Sequence, residues 1–108
     1  MTDIINALYE VVADRKNHPQ ENSYTCYLFD KGLDKILKKI GEESSETIIA
    51  AKNGVKTDTV NEIADLLYHL LVMMAEQGIT PDDLCAVLSD RREKIGNLKV
   101  QHQSNHNS

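Results

Sequence analysis

The residues best suited to chemistry in this chain are two groups of carboxylates, Glu42-Glu43-Ser44-Ser45-Glu46 and Glu62-Ile63-Ala64-Asp65. Residues three apart on a helix differ by about 60° in direction and can converge on one point. On a wheel turning about 100° per residue, with Glu43 at zero, Glu46 falls near −60° and Glu42 near −100°. Leu33, Ile36, Leu37, Ile40, Ile48 and Ala51 occupy about +20° to +140° of the same wheel. With Glu62 at zero, Asp65 falls near −60° and His69 near −20°, while Val60, Ile63, Leu66, Leu67, Leu70, Leu71 and Met74 span about +40° to +180°. On each helix the acids therefore border an apolar face. Two helices joined by a short turn pack antiparallel, so the two acid pairs should face each other across one groove.

Four carboxylates in such a groove repel one another unless cations intervene. Two divalent cations would neutralise them, and an all-oxygen ligand set suits Mg²⁺ or Mn²⁺. Iron is disfavoured because the Glu-x-x-His pattern of di-iron bundles is missing: Ile49 and Tyr68 stand where its histidines would. Zinc is disfavoured because no Cys or His pair has ligand spacing. Spacing alone also admits a plain alternative, a solvated acidic face.

The elements that must hold these acids read as helices throughout. Ile4, Ile5, Leu8, Val11 and Val12 recur at helical spacing over residues 3–16, after Thr2 as a cap, and Pro19 within His18–Ser23 ends that run. Residues 24–31 fit either a short helix or an irregular turn. A long helix is predicted over 33–53, with Gly54 at its C-terminal position. A second is predicted from about Asp58 to Gln77, where Thr59 and Glu62 have capping-box spacing and Gly78 follows. Thr80-Pro81-Asp82-Asp83 opens a last helix to about residue 95, with Leu84, Val87, Leu88, Arg91 and Ile95 along it. No stretch alternates with period two. The fold class is all-α, a bundle of four to five helices, with one domain over residues 1–96 and a polar tail over 97–108 expected to be disordered.

Composition narrows the function. The chain has 108 residues, 12 Lys+Arg against 17 Asp+Glu and a net charge of −5, which excludes a nonspecific nucleic-acid binder. Aromatic residues make up 5% and Trp is absent, so a lone core would be thin and a subunit partner is expected. The two cysteines, Cys26 and Cys85, form neither a zinc frame nor a disulfide framework and are expected to be buried reduced thiols. The N-terminus lacks the basic start of a signal peptide, and the longest apolar run, Leu70 to Ala75, is too short to cross a bilayer. The expected location is cytoplasmic, without a membrane partner.

EExxE followed by ExxD resembles the signature of the MazG-like all-α nucleotide pyrophosphohydrolases. Ser23-Tyr24-Thr25, the run GLDKILKKIGEESSETIIAAKN (residues 32–53) and EIADLLYHLLVMM (residues 62–74) resemble, within that superfamily, the phosphoribosyl-ATP pyrophosphohydrolases of histidine biosynthesis. The resemblance covers residues 4–95. It implies Mg²⁺-dependent hydrolysis of phosphoribosyl-ATP to phosphoribosyl-AMP and pyrophosphate, the second step of the pathway. It carries the metal ligands onto Glu43, Glu46, Glu62 and Asp65, with Glu42 as a further acid. It also implies at least a homodimer that completes the bundle, and a separate phosphoribosyl-AMP cyclohydrolase acting next.

Further roles are expected around the acids. Glu42 or Glu46 would accept the proton of the attacking water. Lys39 and Lys35, at about −40° and −80° on the acid stripe, are the expected phosphate contacts, although Lys39 could instead pair with Glu43. Lys38 and Lys52 point away and could act only across a dimer. Tyr24 and Thr25 could contact base or ribose, or Tyr24 could be a core aromatic. His69 is either a hydrogen-bonded structural residue or a substrate contact. Arg91 and Arg92 could reach phosphate or simply complement a helix end; Met73 and Met74 are core filler; His102 and His106 are solvated. Two other readings compete: a housekeeping nucleoside triphosphate pyrophosphohydrolase with the same metal site, and a noncatalytic helical dimerisation module.

Overall fold

The computed structural model describes residues 2–96. Five helices follow in order: α1 (Thr2–Asn17), α2 (Tyr24–Lys31), α3 (Leu33–Asn53), α4 (Lys56–Gln77) and α5 (Pro81–Gly96). The described residues contain no strand. The tail over 97–108, with His102 and His106, lies outside them. No helix among the described residues is long and apolar enough to cross a membrane.

The helix ends follow from local chemistry. Ser23, in extended backbone, accepts a hydrogen bond from the Cys26 N–H at 3.1 Å, and this cap makes residues 24–31 a helix. Gly32 separates α2 from α3 at φ 93°, ψ −178°, a conformation essentially reserved for glycine. Gly54 closes α3 in the left-handed region, its N–H reaching Ala50 O and Ala51 O at 3.2 Å. α5 opens on a reciprocal pair: Thr80 N–H donates to Asp83 Oδ2 at 2.9 Å, and Asp83 N–H to Thr80 Oγ1 at 3.2 Å.

Two expected caps differ. α1 already includes Thr2. α4 starts before Asp58, with Val55 as a cap that offers no side-chain bond. Thr59 therefore lies inside the first turn and donates to Val55 O at 3.2 Å, so no capping box with Glu62 forms. That leaves the Glu62 carboxyl to the groove.

α3 and α4 form the central antiparallel hairpin; α1 packs on α4, α2 lies against α1, α3 and α4, and α5 touches α1 alone among the described residues. The core, Val12, Leu28, Ile36, Val72 and Ala75, is ringed by Tyr9, Phe29, Ile40, Tyr68 and Met73, with Met74 also buried. Lys16 Nζ donates to Ala75 O at 3.3 Å and Glu76 O at 3.4 Å, and Tyr9 donates to Ile79 O at 2.7 Å, tying α1 to the end of α4.

The buried arc of α3 is not the one its hydrophobicity suggests. Ile36, Glu43 and Ala50 are buried, while Leu37 and Ile48 are 44% and 69% exposed. Buried residues of α4 all fall between His69 and Ala75, and Val60 and Ile63 are 54% and 51% exposed. The hairpin's turn end is thus bare apolar surface. α5 is similar, with Leu84, Val87, Leu88 and Ile95 exposed, and Cys85 exposed rather than buried as expected. Both cysteines are free. The molecule measures 52 × 33 × 26 Å, elongated for its size.

Candidate active site

Glu43, expected at the edge of the buried face, lies in the middle of it, 7% exposed. Glu43 from α3 and Glu62 and Asp65 from α4 each present an oxygen within 4.8 Å of the others. The antiparallel hairpin brings them together, and Glu62 and Asp65 are one helical turn apart. Glu43 Oε1 and Glu62 Oε1 are buried without a hydrogen-bond partner. Buried carboxylate oxygens left unsatisfied are costly, and a divalent cation would satisfy both at once. The donors are all hard oxygens, which fits Mg²⁺ or Mn²⁺.

Glu46 is not in this tight triad, but its carboxyl reaches Glu62. Burial, then the Glu46 charge and a hydrogen bond with it, then Glu43 and Asp65, raise the Glu62 carboxyl above its usual 4.5. Glu42 faces Lys39, whose Nζ lies 3.2 Å from Glu42 Oε1 and 3.8 Å from Glu43 Oε2. The hydrogen bond from Lys39 holds the Glu42 carboxyl below its usual range, and Glu42 in turn raises Lys39. Lys39, part-exposed, thereby sits between Glu42 and Glu43.

His69 is buried, and its Nδ1 lies 2.7 Å from the Asp65 carbonyl oxygen. A carbonyl only accepts, so Nδ1–H donates to it, and Nε2 shares a hydrogen bond with the Tyr24 hydroxyl at 2.9 Å. His69 thus joins a backbone carbonyl of the acid turn to an aromatic on α2. Tyr24 itself is 45% exposed, so it is not a core aromatic, and it stacks at 6.0 Å on Tyr27 and 6.1 Å on Tyr68. The Thr25 hydroxyl bonds to the Tyr68 hydroxyl. Lys35 Nζ sits 5.9 Å from the Tyr27 ring centre, one helical turn before Lys39 on α3. Lys38 and Lys52 are exposed. Arg91 and Arg92 lie on α5, which does not pack against α3 or α4.

Acid spacing does not single out Thr47. Its Oγ1 donates to Glu43 O at 2.7 Å and lies 3.3 Å from Glu62 O, so one hydroxyl ties together the backbones that carry two of the clustered acids. The available signal was a threonine one turn after Glu43 on the arc that Glu43 shares with Ala50. Thr47→Val keeps the shape and removes this tie. The Mg²⁺ concentration for half-maximal thermal stabilisation is expected to rise about tenfold, as when a ligand's supporting bond is lost, with Thr47→Ser close to native. An unchanged midpoint would reduce Thr47 to an ordinary helix back-bond.

Residues 5–92 match a family model described as phosphoribosyl-ATP pyrophosphohydrolase. The chain is 57% identical over 95 residues to the phosphoribosyl-ATP pyrophosphatase of Streptococcus thermophilus, covering 88% of this chain and 91% of that protein. It is 50% identical over 101 residues to the phosphoribosyl-ATP pyrophosphatase of Clostridium novyi, covering 94% and 92%. It is also 59% identical over 81 residues to the histidine biosynthesis bifunctional protein HisIE of Thermoanaerobacter pseudethanolicus, covering 75% of this chain and 38% of that protein.

Proposed function

The chain belongs to the phosphoribosyl-ATP pyrophosphohydrolase family, and from that membership we propose that it hydrolyses phosphoribosyl-ATP to phosphoribosyl-AMP and pyrophosphate in cytoplasmic histidine biosynthesis, with Mg²⁺ or Mn²⁺. The observation that carries the reading is the triad of Glu43, Glu62 and Asp65 with two unpartnered buried oxygens. Those three, with Glu46 beside Glu62, would hold the metal. When bound it supplies charge for the polyphosphate oxygens and acidifies water.

The remaining steps fall to the chain's own side chains. Water attacks one of the two phosphorus atoms that share the α–β bridging oxygen, and the bond from that phosphorus to the bridge breaks. Pyrophosphate separates from phosphoribosyl-AMP, and a carboxylate must take the water's proton. Glu42 is the weaker acceptor because Lys39 holds it ionised and occupied, so the proton goes to Glu46. Lys39 can turn from Glu42 to an incoming phosphate. His69 fixes the Tyr24 hydroxyl, and Tyr24 presents its half-exposed ring to the base or ribose. Thr25 supports that face through Tyr68.

A homodimer belongs to the same proposal. Ile48, Ile49, Val55, Val60 and Ile63 leave the hairpin's turn end bare, and a second copy would cover it. A phosphoribosyl-AMP cyclohydrolase would consume the product. The test is a competition among phosphoribosyl-ATP, dUTP and ATP, followed by pyrophosphate release. Preference for phosphoribosyl-ATP supports the reading; equal use of all three would make the chain a general triphosphate pyrophosphohydrolase instead.

A further inference from the structure

We propose that Tyr27, Lys31 and Lys35 form a second anion subsite, which takes the phosphate monoester of the substrate's phosphoribosyl group while the triphosphate lies over the acids. The inference rests on the phosphoribosyl-ATP reading above and deepens it. That substrate is anionic at both ends: a triphosphate on the ribose of its ATP part and a single phosphate on a second ribose carried by the same base. ATP shares the first end and lacks the second. Contacts to the triphosphate cannot tell the two apart, so discrimination requires a group that meets the far phosphate.

Tyr27 is 40% exposed, outside the core, and stacks on Tyr24 with planes 23° apart. Two ammonium groups lie near its ring, Lys31 Nζ at 5.8 Å and Lys35 Nζ at 5.9 Å from the centre. Among the described residues neither has a carboxylate within ion-pair distance, although the chain carries an excess of acids. Lys39, by contrast, is engaged by Glu42. Lys31 ends α2, and Lys35 and Lys39 are one turn apart on α3, so the three cations step from the Tyr27 ring towards the acids. Tyr24 bridges the same interval, bonded to His69 at one end and stacked on Tyr27 at the other. Two cations held beside a ring, neither in an ion pair among the described residues, suit a phosphate monoester next to a stacked sugar or base.

The test uses the Lys31→Ala/Lys35→Ala double variant of the full chain with Mg²⁺. KM for phosphoribosyl-ATP is expected to rise on the order of tenfold per lysine, from the loss of charge-assisted contacts, with kcat within about twofold. The inhibition constant of ATP against phosphoribosyl-ATP is expected to stay put, and competitive inhibition by ribose 5-phosphate to disappear. Lys31→Arg/Lys35→Arg should restore both KM and that inhibition. Equal weakening of phosphoribosyl-ATP and ATP would show that the lysines serve the triphosphate, and an unchanged KM would show two solvated side chains; either overturns the subsite. Failure of the native chain to cleave phosphoribosyl-ATP would remove the functional reading itself, and is seen before any variant is made.

Discussion

Glu62→Gln is expected to abolish turnover, by on the order of a thousandfold or more in kcat (roughly 4 kcal/mol), while making the metal-free protein more stable. The two effects share one cause. Glu62 has a buried, unpartnered oxygen and stands against Glu46, Glu43 and Asp65, so its charge is unfavourable in the fold and useful only to a cation. A glutamine keeps the shape, removes the repulsion and offers its amide N–H groups to the neighbouring carboxylates.

The same repulsion gives the native chain a characteristic pH dependence in chelator. Because the folded state raises the Glu62 carboxyl above 4.5, folding takes up a proton between the unfolded and the folded pKa. Metal-free stability therefore rises as pH falls through that window and is lost again as pH rises. Glu42, held low by Lys39, acts in the opposite sense below 4.5, where its protonation removes stability. Thermal melts by circular dichroism should show the first slope in the native chain and a flattened one in Glu62→Gln. A less stable variant with an unaltered slope would mean that Glu62 is structural rather than a ligand in waiting.

Ile63→Asp is the second large effect. Ile63, 51% exposed near the start of α4, is one of five exposed aliphatic residues at the hairpin's turn end, with Ile48, Ile49, Val55 and Val60. Burying such a side chain against a second copy contributes about 1.5–3 kcal/mol, and symmetry counts each substitution twice. The aspartate is therefore expected to weaken the dimer by on the order of a hundredfold or more. In analytical ultracentrifugation at micromolar concentration, the native chain should sediment as a dimer or larger and Ile63→Asp as a monomer with a lower melting temperature. A native monomer would remove the proposal, because the bare end would then be ordinary surface.

Most of the helical frame was legible because it rests on local signals. Gly54 and Gly78 end the two long helices as their positions suggest, and Thr80 and Asp83 cap α5. Residues 24–31 stayed ambiguous because their helix depends on one side-chain cap, Ser23, and on packing against three other helices. The α4 start was misplaced because Val55 does the capping with no side-chain signal. At the site, spacing brought out the acids, yet Glu43 was put at the edge of the buried face when it is inside it. A hydrophobic wheel averages over faces that meet different neighbours: one arc of α3 is covered within this chain, and the arc through Leu37 and Ile48 is left open. Thr47, Tyr27 and Lys31 escaped notice because their relevance comes from contacts between elements far apart in sequence or in different helices.

Pyrophosphate release from phosphoribosyl-ATP by the native chain, measured in Mg²⁺, in EDTA and after Mg²⁺ is added back, tests the central claim most directly. The expected result is release in Mg²⁺, none in EDTA, and full recovery on restoring the ion. Release undiminished in EDTA would contradict the metal role of Glu43, Glu62 and Asp65, and no release in Mg²⁺ would contradict the reaction itself.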